Sequence, residues 1–370
     1  MRVARSVAVT AAVLAFVATG CSGDPDPAPS PSPSPSATSS SPSSTTDDPS
    51  PDPDPDPGDP VTNLLDWTAL DASRTDVVTK GKDFTIVVDQ AQRVVTLDNA
   101  GRTSSFRAPA RFQFNDVLTD GTWLVMVAQD KQEVQPSRAT VVELATGDES
   151  TLDGDSDLPT VNGGSWAVGG GTVLHPTLGP GRRYCLASVE LPAMKSTLGY
   201  CAPRRAGFSH VLISPTATSL LTFSGQPQCR TVARLDGATI TPFPDVTDCK
   251  GWDGAVTATG AVWSVVTNEN RVEQSEFFAS AGEGEVDLGP GTTGSLTWCG
   301  DSAYFVRDSQ KDVDKARLLR WTPQGRLEVV YESPGSGEAF LTTPRCAGDV
   351  LTINAFGEGG DEQVWAPAPS

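Results

Sequence analysis

A hairpin that recurs seven times constrains this 370-residue chain more than any other feature. The clearest copy is Val256-Thr257-Ala258-Thr259-Gly260-Ala261-Val262-Trp263-Ser264-Val265-Val266, an alternating strand, a small turn and a nearly continuous apolar strand. Similar units occupy 77–87, 117–127, 166–174, 212–223, 296–306 and 343–353. Turn glycines stand at 81, 121, 170, 260, 300 and 348, and Thr216 to Thr218 replaces them in the fourth copy. A two-residue hairpin turn asks for positive φ, which glycine adopts without steric cost. The steps of roughly 40 to 50 residues match four-stranded repeats. An apolar run after each turn fits a strand buried on both faces.

A third strand, a turn and a fourth strand follow the hairpins. Arg93 to Asp98, Asn99-Ala100-Gly101 and Arg102 to Phe106 show this in the first unit, and 317–321, 322–325 and 326–331 in the sixth. The last unit ends early at Gln363-Val364-Trp365, while Leu65 to Leu70 has no unit of its own. The expected fold is therefore all-β, a seven-bladed β-propeller of four-stranded antiparallel blades over 61–370, with Leu65 to Leu70 supplying the missing outer strand. Six blades remain open if the fourth unit is miscounted, as does a β-sandwich of hairpins. The likeness to TolB-like and WD40-like propellers is one of architecture only, and fold alone assigns no activity.

Residues 1–20 read as a signal peptide, with Arg2 and Arg5 before the apolar run Val7 to Ala18. That run is too short to span a bilayer. Ala18-Thr19-Gly20-Cys21 resembles a bacterial lipobox, in which the cysteine after the cut receives diacylglycerol. Ala18 departs from the usual leucine or valine. The resemblance implies a lipid on Cys21 and an anchor on the extracytoplasmic face of the cell membrane. Pro-Ser and Pro-Asp repeats fill 22–60, a composition that cannot bury apolar surface and is expected to be disordered. Extended at about 3.1 Å per residue, such a linker reaches ~120 Å. The design resembles surface lipoproteins of high-GC Gram-positive (actinobacterial-type) bacteria.

The net charge is −19, and after the eight acids and two arginines before position 61 are set aside the remainder carries −13. Such a domain repels phosphate backbones, so nucleic acid is not an expected partner, and electrostatic docking on anionic lipid is disfavoured. Lipidation of Cys21 would leave six of the seven cysteines, an even number in an exported chain. Cys185 and Cys201 bracket the outer hairpin of the third unit, and Cys229 and Cys249 that of the fourth. Cys299 and Cys346 hold matching inner-turn positions in the sixth and seventh. Those equivalences point to two bridges within blades and one between neighbours. A zinc site is disfavoured, since no C-x-x-C occurs and His175 and His210 are the only histidines.

Propeller ligands usually bind where inner strands begin. The residues entering those strands are Asp76, Asn115, Asp116, Asn162, Ser209, His210, Asp253, Ser295 and Glu338, with Trp252 beside Gly251 as a further residue for the channel mouth. This polar, mostly acidic ring would suit a cation or a basic or hydroxylated ligand. Its makeup resembles the acidic and amide side chains of calcium-dependent lactonase propellers, oxygen ligands suiting a hard cation. An ordinary solvated rim is the competing expectation, because Asn and Asp favour strand starts for turn reasons. The acidic loop Gly147 to Leu158 lacks the ligand order of a calcium loop and reads as a solvated turn. No nucleophile elbow, P-loop or dinucleotide fingerprint occurs. No catalytic residue, cofactor or metal ligand is assigned. The expectation is a membrane-anchored binding or scaffold module with a protein or small-molecule ligand at the propeller face. Alternatives are an extracellular lactonase-like or glutaminyl-cyclase-like enzyme using the acidic rim, and a modulator of a membrane sensor or transporter.

Overall fold

The computed structural model describes residues 56–369, apart from 74, 226, 227, 247, 248, 282, 283 and 310–313. The expectations for the signal peptide 1–20, Cys21 and the linker as far as residue 55 lie outside the described residues.

Seven sheets follow one another along the chain, at 77–107, 112–152, 167–201, 206–242, 251–292, 297–332 and 340–367, here called blades one to seven. Neighbouring strands in each are antiparallel, so the fold is the seven-bladed propeller that the repeats predict. Strand periodicity explains how the blades hold together. In Trp123–Asp130, the second strand of blade two, Leu124, Met126 and Ala128 pack with Phe84 and Ile86 of blade one. Trp123, Val125 and Val127 point the other way, into a cluster with Val173 and Val189 of blade three. Alternate residues thus serve two cores, which is why the strand is apolar at nearly every position. Blades five and six meet the same way, with Phe277 stacked on Phe305 at 4.1 Å.

The N-terminal segment closes the ring. Thr68–Ala69 pairs antiparallel with Glu362–Pro367, the last strand of blade seven, in the register Thr68 to Trp365 and Ala69 to Val364. Val61–Thr62 adds a parallel strand to the outer edge of blade six, a pairing the sequence pattern does not announce. Just before it, the Pro57 carbonyl accepts a hydrogen bond from the Leu327 amide at 3.3 Å.

Three disulfides join Cys185 to Cys201, Cys229 to Cys249 and Cys299 to Cys346. The first ties the two outer strands of blade three, the second ties the third strand of blade four to the segment that leads into blade five, and the third ties the inner strands of blades six and seven. Two turn glycines differ from expectation. Gly81 and Gly260 do not have positive φ. Crowding requires them instead, since a Cβ at Gly81 would lie 2.3 Å from the Phe84 ring and one at Gly260 2.1 Å from the Ser280 carbonyl oxygen. In blade four, Ser214 holds the glycine-free turn by donating from its hydroxyl to the Ala217 carbonyl at 2.9 Å.

Candidate binding channel

The inner strands surround an axial cavity of 610 Å3. Six blades contribute to its wall; blade five does not, because the inner strands of blades four and six approach each other in front of it. Leu212 of blade four accordingly packs into the core between blades five and six. The inner turns of blades two and seven also approach one another, with Gly121 against Gly348. The wall is chiefly apolar, with Val117, Ile213, Trp298 and Pro344, and its polar members include Thr79, Arg345 and Asp120, whose carboxylate accepts from the amides of Thr122, Trp123 and Gly171. Its size is that of an ordinary small-molecule site.

Of the predicted rim residues, the structure brings His210, Trp252 and Asp253 together. A bulge between Ser209 and Leu212 places His210 at φ +47°, and the Ser165 hydroxyl accepts from its amide at 2.9 Å. The bulge turns the ring toward blade five, with Nδ1 3.5 Å from Oδ1 of Asp253 and 3.3 Å from the Trp252 carbonyl oxygen. Asp253 is buried. Its Oδ2 accepts from the Gly294 amide at 2.8 Å and the Ser264 hydroxyl at 3.2 Å. Burial pushes this carboxyl above the ordinary carboxylate range, while His210 and these donors pull against it. The Gly294 carbonyl in turn accepts from Thr343 of blade seven at 3.3 Å. A polar path therefore runs from blade four to blade seven along one end of the channel. The Trp252 indole lies 5.4 Å from the His210 ring and 4.8 Å below the Arg230 guanidinium, which is paired with Glu269.

The other rim residues do not join this cluster. The Asn162 carboxamide ties blade two to its own loop, accepting from Gln129 at 3.0 Å and donating to the Gln135 carbonyl at 2.8 Å. Asn115 is exposed and donates to Asp116 at 3.3 Å; burial raises the Asp116 carboxyl against that bond. Asp76 offers its backbone carbonyl to Gln363 at 3.1 Å, and Glu338 is exposed. Ser295 is buried, receiving the Val306 amide at 3.0 Å. Among the described residues no three His, Cys, Asp or Glu side chains converge to hold a metal.

Arg345 escaped the sequence reading. It stands between Pro344 and Cys346 with no motif around it, and only the packing of blade seven on blade one places it in the wall. Its Nε donates to the Val78 carbonyl and its Nη2 to Oδ1 of Asn354, each at 2.7 Å. Other polar contacts line that seam: the Lys80 amide donates to the Thr352 hydroxyl at 2.9 Å, and Gln363 reaches the carbonyls of Ser73 and Asp76.

No family model matches the sequence. No curated protein matches it either. Among solved structures, the β-propeller domain of the Trilobed protease from Pyrococcus furiosus, described as having an open velcro topology, aligns with TM-score 0.50 at 10% identity, over 78% of this chain and 97% of that one. The tricorn protease aligns with TM-score 0.49 at 14% identity, over 80% of this chain and 34% of that one. An acylaminoacyl peptidase from Pyrococcus horikoshii gives 0.48 at 7% identity, over 78% of this chain and 52% of that one. At 10% identity the likeness to the Pyrococcus furiosus domain is one of fold, and the fold it shows is the β-propeller.

Proposed function

We propose that this chain is an extracytoplasmic, lipid-anchored binding module that takes its ligand in the axial channel. The observation that carries the binding role is the 610 Å3 cavity, walled by inner strands of six blades and stapled beside Cys299–Cys346. A pre-formed, mostly apolar cavity with a few fixed polar groups is the usual design of a small-molecule site. The three disulfides fit a chain that matures in an oxidising compartment. Among the described residues no helix is long and apolar enough to cross a membrane. The lipobox-like Ala18 to Cys21 supplies the attachment, and the proline-rich segment after it holds the propeller off the surface.

Two measurements test this. Cys21→Ser is expected to move the protein from the membrane fraction to the medium; retention in the membrane would refute the lipid anchor. A melting-temperature screen of small molecules is expected to find stabilising ligands, since occupancy at 100 times the dissociation constant adds about 2.7 kcal/mol. A ligand whose effect survives Trp298→Ala would bind elsewhere.

A further inference from the structure

Building on the reading of the channel as a ligand site, we infer that Arg345 makes it selective for a small organic carboxylate with an apolar or aromatic body. Arg345 lines the cavity, and both protein groups that it contacts by hydrogen bonds, the Val78 carbonyl and the Asn354 carboxamide, are neutral. Nη1 has no hydrogen-bond partner, and no carboxylate lies within 4.0 Å of the guanidinium, among the described residues. Arg345 is half-buried, and the two buried arginines, Arg320 and Arg230, are held differently. Arg320 is flanked by Asp301 at 3.2 Å and Glu328 at 3.4 Å, and Arg230 is paired with Glu269. Arg93 and Arg307, half-buried like Arg345, also donate to backbone carbonyls, but neither lines the axial cavity, so what distinguishes Arg345 is its place in that wall.

A guanidinium taken out of water without a counter-charge is costly. Burial accordingly pushes the Arg345 pKa down to about 10. A ligand carboxylate reaching Nη1 from the cavity would supply the missing charge through a charge-assisted hydrogen bond, strengthened by exclusion of water. Nε and Nη2 are already held by the protein, so the fork is fixed before the ligand arrives and little side-chain entropy is lost on binding. Val117, Ile213, Trp298 and Pro344 would cover the body of the ligand.

The test uses the full chain carrying Cys21→Ser, with 4-phenylbutyrate and its neutral isostere 4-phenylbutyramide as probes. Binding is followed by calorimetry and by tryptophan fluorescence, and Trp298→Phe reports whether a probe occupies the channel. The expected result is a preference of about 10- to 100-fold for the acid over the amide. Arg345→Gln should abolish the preference and Arg345→Lys should keep part of it. If Arg345→Gln does not fold, the acid-to-amide ratio on the arginine-containing protein and the Arg345→Lys variant decide. Equal binding of acid and amide in the channel would overturn anion selection while leaving the ligand site standing. Failure of both probes to bind would overturn the carboxylate proposal; if the broader melting screen also finds no ligand sensitive to Trp298→Ala, the channel-binding reading falls with it.

Discussion

The indole nitrogen of Trp67 donates to the Val330 carbonyl oxygen at 2.8 Å, fastening the N-terminal segment to blade six while its neighbours Thr68 and Ala69 pair with blade seven. Trp67 also meets Tyr331 edge-on at 5.3 Å and packs on the core shared by those blades. One side chain thus spans the place where the ring would open. Trp67→Ala is expected to cost about 2 to 4 kcal/mol, from lost packing and the lost hydrogen bond. Trp67→Phe, which keeps an aromatic edge but no donor, should cost ~1 kcal/mol. Denaturant midpoints at unchanged slope would measure both, and a wild-type midpoint for the alanine variant would show that closure does not depend on this residue.

The disulfides should differ in weight according to the loop each closes. Cys299–Cys346 closes a separation of 47 residues, against 16 for Cys185–Cys201 and 20 for Cys229–Cys249. Chain entropy alone assigns about 4 kcal/mol to the longest loop and about 3 to the shortest. The interblade bridge also ties two blades beside the closing seam. Paired Cys→Ala variants, compared by chemical denaturation, should therefore rank Cys299/Cys346 as the most damaging. A larger loss at Cys185/Cys201 would mean that the bridge between blades is not a principal staple.

What the sequence discloses here is what repeats. The nearly continuous apolar run at 123–130 and the matching positions of Cys299 and Cys346 announce the blades and their staple because equivalent places in each unit face equivalent neighbours. What it hides depends on packing between units. Val61–Thr62 is exposed and too short to show a period, so its pairing with blade six leaves no mark. Arg345 and Val78 are 267 residues apart, and only the closed circle brings them into hydrogen-bonding contact. The rim shows both cases. His210, Trp252 and Asp253 converge because a bulge turns His210 toward blade five. Asp76, Asn115, Asp116, Asn162 and Glu338 share the same nominal strand-start positions without joining them, and the Asn162 carboxamide is already spent on Gln129 and Gln135.

Gly121 offers a test of the contact between the inner turns of blades two and seven. Its φ is +90°, and a Cβ there would lie 2.8 Å from the Gly348 Cα and 2.9 Å from the Gly348 nitrogen. Both obstacles are backbone of blade seven, which cannot swing aside as a side chain would. Gly101 has φ +76° with open space around it. Gly101→Ala should therefore show the left-handed penalty alone, about 1 to 2 kcal/mol. Gly121→Ala should lose a further 1 to 3 kcal/mol or so from overpacking. Equal losses in thermal or chemical denaturation would mean that the two inner turns do not touch in solution.

His175 should make the fold sensitive to mild acid. Its ring is fully buried and stacked 5.1 Å from Trp166; Nδ1–H donates to the Pro176 carbonyl at 3.1 Å, and Nε2 has no partner. A proton added at Nε2 would find no acceptor. Burial accordingly lowers the ring's pKa from 6.5, with the Pro176 carbonyl pulling the other way. The unfolded chain takes up a proton near 6.5 while the folded chain still refuses it, so this residue's contribution to stability falls as pH drops below 6.5 toward the folded-state value. His175→Phe keeps a ring against Trp166 and has nothing to protonate. Carboxylates titrate alike in both proteins, so the comparison isolates the imidazole. The melting temperature of the variant should rise relative to the parent between about pH 7 and about pH 5. A constant offset between the two curves would mean that His175 is hydrated in the folded state and titrates as it does in the unfolded chain.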